Sequence, residues 1–320
     1  MSEQPVYIQS ISAIHPEGKE PSSEYMSANE PDYKTLITNA TLRRRMSRIV
    51  KMGVACGLKC MNTVPADEVQ AIITATGLGC LGDTEKFLNS ILDNKEQLLN
   101  PTPFIQSTFN TIGGQIALIR QIHSYNTTYV HRGLSFETAL LDAIMKIREG
   151  NKKILVGAID EMTSNSHLIQ KRLGLLKDTI GGEGAHFFLL SDEADENTLA
   201  TVEAVEMRSG SYTTSQLNQQ IKDFLHNQHL KTADIDCFIT GNNGNKAQDC
   251  IYEDLKNELF PQSIHSTFKE ECGEYPTASS YAVWKTIKMF HEEGLDVKTA
   301  LIYNHYQSIN HSLILIRKMI

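Results

Sequence analysis

The strongest constraint on the fold of this sequence is a rhythm: short β-branched runs alternate with long amphipathic stretches, and the alternation is run through twice. Val6–Ile14 reads as a strand. Leu42–Cys60 reads as a helix, with Leu42, Met46, Ile49, Val50 and Val54 at helical spacing. Gln70–Ala75 reads as a strand that enters a glycine-bearing turn (Gly77, Gly79, Gly82) and then a helix from Thr84. A helix over Asn110–His123, a short strand at Thr127–Val130 and a helix over Ser135–Arg148, ended by Gly150, come next. Lys153–Ile159 is apolar throughout, as strands buried on both faces are. The second half is expected to carry strands at Ala185–Leu190, Ala200–Met207 and Cys237–Thr240, the last opening onto Gly-Asn-Asn-Gly. Helices are expected over Ser215–His226, Lys246–Leu259 and Thr277–His291, and further strands at Ser263–Thr267, Ala300–Asn304 and Ser312–Arg317. No Pro/Gly-rich linker divides the chain, so one compact α/β unit of two similar halves, residues 1–165 and 166–320, is expected.

Composition removes several classes of function. With 41% hydrophobic and 21% charged residues in 320, the chain is ordinary globular material. No apolar run approaches the roughly 18 residues that cross a bilayer, and MSEQPVYIQS lacks the basic and apolar regions of a secretory signal. Six cysteines without a Cys-x-x-Cys pair describe neither a disulfide scaffold nor a zinc ribbon. A soluble cytoplasmic protein with free thiols is therefore expected. His226 and His229 read as solvent-facing, Cys56 and Cys60 as small core residues, and Gly77-Leu78-Gly79 is too short for a dinucleotide fingerprint. Neither a metal nor a cofactor is expected.

A net charge of −8 argues against general nucleic-acid binding. Yet no acid occurs between Tyr33 and Ala66, where Lys34, Arg43, Arg44, Arg45, Arg48, Lys51 and Lys59 stand. That stretch is +7, leaving −15 for the rest. Two readings stay open: a helix face salt-bridged to the acidic remainder, or a contact surface for an acidic partner.

Three ordered motifs carry a resemblance. Asn110-Thr-Ile-Gly-Gly-Gln-Ile-Ala117, Gly133-Leu-Ser-Phe-Glu-Thr-Ala-Leu140 and Leu155-Val-Gly-Ala-Ile-Asp-Glu161 follow one another as in the core of the β-ketoacyl synthases, which the chain resembles. Arg44–Arg48, the Thr76–Gly79 turn, Lys269 with Gly273, and Asn310 match the same family in order. The resemblance implies the thiolase fold, five layers (αβαβα) from two duplicated halves. It also implies a cysteine at a strand-to-helix elbow, which takes an acyl group, and two histidines that hydrogen-bond the thioester oxygen.

This chain departs from the family at all three positions. Counting back from Gly150 and Glu161 puts the nucleophile position at Gly133, and no cysteine stands between Cys80 and Cys237. Ser135, two residues on, reads as a helix N-cap with Glu137 in the first turn. The His-Gly-Thr position falls on Gly241–Gly244, with Asn242 in place of the histidine and the register open by one residue. Lys269 and Gly273 are kept, but Glu274 replaces the second histidine, so Lys269–Glu274 reads as a structural ion pair. The glycine-rich gate is replaced by the bulkier His305-Tyr-Gln-Ser-Ile309.

Losing three catalytic side chains on a kept scaffold resembles the chain length factors, non-catalytic partners of ketosynthases in type II polyketide systems, and in particular those of aryl polyene and flexirubin-type pathways. The resemblance implies a heterodimer with a cysteine-bearing ketosynthase, and acyl carrier protein met indirectly. It places the strand Thr127, Thr128, Tyr129, Val130 at the partner's edge, and Phe109, Asn110, Thr111 and Ile112 in the acyl tunnel. Arg43, Arg44, Arg45 and Arg48 form the basic patch toward carrier or partner. Two other readings stand beside it: an active condensing enzyme or acyltransferase with another nucleophile, and a stand-alone acyl-binding homodimer.

Overall fold

The structure is a computed structural model and describes residues 5–17 and 24–319. The first four residues of the N-terminal run inspected for a signal lie outside the described residues. Ten strands and eleven helices follow in chain order: β1 Val6–Ile14, α1 Ala40–Arg45, α2 Arg48–Cys60, β2 Val69–Ala75, α3 Leu81–Asp93, α4 Pro101–Gln106, α5 Thr111–Arg120, β3 Tyr125–Tyr129, α6 Ser135–Arg148, β4 Lys153–Asp160, α7 Ser164–Arg172, β5 Gly184–Ser191, β6 Ala200–Ser209, α8 Thr214–Asn227, β7 Cys237–Thr240, α9 Lys246–Leu259, β8 Ile264–Thr267, α10 Lys269–Cys272, α11 Ser279–Phe290, β9 Thr299–Tyr306 and β10 Asn310–Lys318.

The expected strands are all present, within about two residues of the expected ends. One expected helix is not: Leu42–Cys60 is broken into α1 and α2 at Met46–Ser47, where Met46 is extended (φ −75°, ψ 135°). The cause is tertiary. The Gln106 side chain on α4 accepts from the Ser47 amide at 3.0 Å and donates to the Arg45 carbonyl, occupying the backbone groups that would continue the helix. Helices α4, α7 and α10 were not foreseen. Asn100, with Pro101 at the first helical position, caps α4, and Thr163 caps α7.

The sheet order is β3-β2-β4-β5-β1-β6-β10-β9-β7-β8. Read inward from either edge the order is the same: β8-β7-β9-β10-β6 repeats β3-β2-β4-β5-β1. Both sets pair parallel, parallel, antiparallel, antiparallel. A short antiparallel contact, Val6–Ile8 on Val202–Ala200, joins them. Strand β5 belongs with the first set although it lies beyond residue 165.

Side-chain alternation turns this order into layers. On β4, Ile154, Val156 and Ala158 face one core while Leu155 and Ile159 face another. The central core holds α6 and α11 between the two strand sets, with Ile314 and Ile316 of β10 opposing from the second set. Helices α2 and α5 cover the outer face of the first set, and α8 and α9 that of the second, against Leu313 and Leu315. Helix, sheet, helix, sheet, helix: five layers result. Among the described residues no helix is long and apolar enough to cross a membrane.

Candidate functional site

The elbow between β3 and α6 is a single 3₁₀ turn, Arg132–Leu134, with Arg132 in the left-handed region (φ 47°). Gly133 is buried inside it. A Cβ there would lie 2.3 Å, 2.4 Å and 2.5 Å from Cβ, Cγ and Cδ1 of Tyr306, at the end of β9. The chain's own tyrosine therefore fills the space that any side chain at position 133 would need. Gln307 and Ser308, after it, are both left-handed (φ 56° and 52°), and the Gln307 amide donates to the Leu175 carbonyl at 3.1 Å. The gate is thus a bulky turn held down by a side-chain bond.

Ser135 is not the N-cap expected of it. The 3₁₀ turn winds straight into α6, so Ser135 is already helical (φ −62°, ψ −46°) and Leu134 takes the cap position. Its Oγ accepts from the His131 amide at 2.7 Å and donates to the Arg132 carbonyl at 2.8 Å, fully buried. This staples the elbow and leaves no free hydroxyl. Glu137 stands in the first turn of α6 as expected, but buried, with the Ser312 hydroxyl donating to it at 2.8 Å; burial raises its pKa.

The second half brings Lys269 and Glu274 together. Helix α10 is one turn, closed by Gly273 (φ 80°), which aims Glu274 back at Lys269: Nζ to Oε2 is 2.9 Å, and both residues are about 96% buried. Lys269 Nζ also donates to the His305 carbonyl at 2.8 Å. Glu274 is anchored through its backbone, its amide donating to Ile180 and its carbonyl accepting from Gly182. Asn242 does not face this pair. Its side-chain oxygen accepts from Thr240 Oγ1 at 2.6 Å, and Asn243, the next residue, donates to Glu274 Oε2 at 2.9 Å. His305 stacks on Tyr252, ring centroids 4.7 Å apart, and burial, aided by the Lys269 charge, drives its pKa down to about 3. The sequence marks the segments Gly241–Gly244 and His305–Ile309, but the contacts of Tyr306 with Gly133 and of Asn243 with Glu274, and the stacking of His305 on Tyr252, follow from no local pattern.

Lys269 and Oε2 of Glu274 are tied to one another, which makes that oxygen a poor free base, while Oε1 of Glu274 is buried without a hydrogen-bond partner among the described residues. Burial raises the thiol pKa at Cys56 and Cys237 to about 12, and also that of Cys60, Cys80 and Cys272. Cys250, the exposed cysteine, sits on the outer helix α9 with its Sγ toward the Ala247 carbonyl.

The remaining positions lie elsewhere in the first half. Phe109 is 50% exposed, its ring against Gly79; Asn110 is exposed at the start of α5; Thr111 shares a 2.8 Å hydroxyl contact with Thr108. Ile112 is 3% exposed and packs inward against Gly53 of α2. Thr127, Thr128 and Tyr129 belong to the edge strand β3, with Thr128 bonded to Thr74, while Val130 lies just past its end and is exposed. Nine of the fifteen exposed large apolar side chains among the described residues fall between Leu88 and Val130, Tyr125 and Val130 of them at this edge.

The basic stretch divides. Arg48 makes a two-bond pair with buried Glu183, at 2.8 Å and 2.5 Å, and a further bond to Glu30, so it is a structural tie and not part of an open patch. Arg43 donates to the Ile37 carbonyl and is half-buried. Arg44 and Arg45 are exposed. Arg45 borders a cleft of about 530 Å³ between α1, α4 and α5, with Ile105 and Leu118 on its wall.

Two mirrored strand sets around paired central helices, with a strand-to-helix elbow after β3, define a thiolase-fold protein. The chain belongs to the β-ketoacyl synthase family: the model of the β-ketoacyl synthase N-terminal domain matches residues 18–232. Among solved structures it is similar to the ishigamide ketosynthase/chain length factor (TM-score 0.82, 17% identity, covering 98% of this chain and 99% of that one). It is also similar to AntDE:AntF, a type II PKS acyl-carrier protein in complex with its ketosynthase (TM-score 0.80, 12% identity, 99% and 100% covered). A β-ketoacyl synthase from Burkholderia phymatum aligns with TM-score 0.77 at 12% identity, 99% and 100% covered. No curated protein sequence matches the chain.

Proposed function

We propose that this protein is a non-catalytic chain length factor: it pairs with a cysteine-bearing ketosynthase and shapes the acyl tunnel while a polyene or polyketide chain grows on acyl carrier protein. The observation that carries the reading is Tyr306 packed onto Gly133, which leaves neither a nucleophile nor room for one. The buried Lys269–Glu274 pair and the buried, high-pKa thiols support it. In this reading the open edge of β3 pairs with the ketosynthase, hiding an otherwise unpaired row of backbone groups. Phe109 and Asn110 project from the same region toward the partner's tunnel, Phe109 forming its floor. Ile112, being core, supports that floor from behind. Arg44 and Arg45 are the residues left to meet an acidic carrier. Assignment to aryl polyene or flexirubin-type systems rests on the sequence resemblance.

The test is co-expression with a cysteine-bearing ketosynthase from the same genome, then exposure of the pair to acyl-carrier thioesters and intact-mass measurement of each subunit. The pair should elute as one heterodimer, with the acyl mass on the ketosynthase alone. A stoichiometric acyl adduct on this chain would overturn the reading and favour an active condensing enzyme.

A further inference from the structure

We propose that Gly79 is a positioning residue for Phe109, setting how far that ring projects from the surface and so the depth of the acyl tunnel. The inference rests on the reading of Phe109 as the tunnel floor. Gly79 sits in the turn between β2 and α3 with φ +71°, and a Cβ there would lie 2.5 Å and 2.6 Å from Cδ1 and Cε1 of Phe109. Ordinary carbon contacts begin at roughly 3.5 Å, so an added methyl demands about 1 Å of movement from one side or the other.

The turn cannot be the side that moves. Its Gly79 amide donates to Thr76 Oγ1 at 2.9 Å, and Thr76 in turn donates to Asp160 Oδ1 at 2.9 Å. The Gly77 amide reaches the same oxygen at 2.9 Å. Asp160 is fully buried and is held from its other side by the amide and hydroxyl of Thr277, at 3.1 Å and 2.8 Å. Behind Gly77, a Cβ would meet Pro276 at 2.1 Å, so there is no space for retreat in that direction. Phe109 is half exposed and has solvent before it. A side chain at 79 therefore drives the ring outward, toward the partner, and shortens the tunnel.

The experiment uses the full chain, free and in complex with its ketosynthase. Gly79→Ala and Gly79→Asn both add the Cβ, and asparagine tolerates the left-handed backbone, which separates the steric push from backbone strain. In the free chain, with 4-fluorophenylalanine at position 109, both variants should shift the ¹⁹F resonance. In the complex, both should move carrier-bound products shorter by one two-carbon unit. Phe109→Ala should lengthen them, and Gly79→Asn combined with Phe109→Ala should give the Phe109→Ala distribution unchanged. If the single variants do not fold, recovery of folding in the Phe109→Ala background reads the same coupling, and no recovery counts against it. An unmoved resonance, or a length change that persists without the ring, overturns the role of Gly79. If the resonance moves and Phe109→Ala leaves length unaltered, the tunnel-floor reading fails and takes tunnel control by Gly79 with it. If Phe109→Ala lengthens products and the Gly79 variants do not shorten them, only the Gly79 inference falls.

Discussion

A glycine at position 133 is unremarkable as a letter; what gives it meaning is the aromatic ring laid across it. Because the space beyond its Cα is full, Gly133→Ala should overpack the elbow and cost about 1–3 kcal/mol in urea unfolding. Removing the ring should remove that penalty, so Gly133→Ala with Tyr306→Ala should be no less stable than Tyr306→Ala alone. Two independent, additive losses would contradict the packing. The buried pair makes an opposite kind of prediction. Glu274→Ala leaves Lys269 charged in a site with little water, and should cost about 3–5 kcal/mol. On the proposed function, which gives the chemistry to the partner, the condensation rate of the assembled complex should stay within a few-fold of wild type. A loss below about 1 kcal/mol would mean the pair is not the tie the geometry describes.

Of the two strands that end the sheet, β8 and β3, the proposed interface falls on β3. It is five residues long and hydrogen-bonded to β2 on one side, and it ends the sheet on the other. Exposed sheet edges invite pairing with another chain. Val130, 40% exposed just past the strand, offers apolar contact at that edge. Val130→Lys should leave the melting temperature of the free chain within a few degrees of wild type while weakening the heterodimer, as read by light scattering behind size exclusion. An intact heterodimer at nanomolar concentration would move the interface elsewhere. The strand was visible in the sequence, its place at the edge was implied by the family resemblance alone, and α6 was legible to the residue. The α1–α2 break was not, since the group that causes it, the Gln106 amide, sits on another helix. The cap on α4 was legible in Asn100-Pro101 and was overlooked.

At the scale of the whole molecule, buried titratable groups set opposite pH trends. Burial lowers the pKa of His15, His186, His305 and His311, so the unfolded chain takes up protons that the native histidines refuse. Their stabilisation is full above the unfolded value of 6.5 and is lost as the pH falls, down to about 3 for His305. Glu161 runs the other way. Burial lifts it from 4.5 to about 7, so its contribution is full below 4.5 and is lost as the pH rises through 7. Glu161→Gln should therefore match wild type most closely near pH 4.5 and gain on it steadily up to about pH 7, with no further gain above. Urea unfolding at three pH values checks this, and a difference independent of pH would refute the assignment.

The sequence by itself determined the doubled βα rhythm, the places of the strands, and which residue types stand at Gly133, Asn242 and Glu274. Those are local facts: β-branched runs, helical spacing and residue identity at motif positions act over a few neighbours, so they are readable in one dimension. Only the tertiary structure decided what surrounds those positions. Tyr306 covers Gly133 from 173 residues away in the chain, Asn243 rather than Asn242 reaches Glu274, and Arg48 is spent on Glu183 rather than on a partner. Each depends on two strands or helices meeting face to face, which the order of the sheet fixes and no local preference encodes.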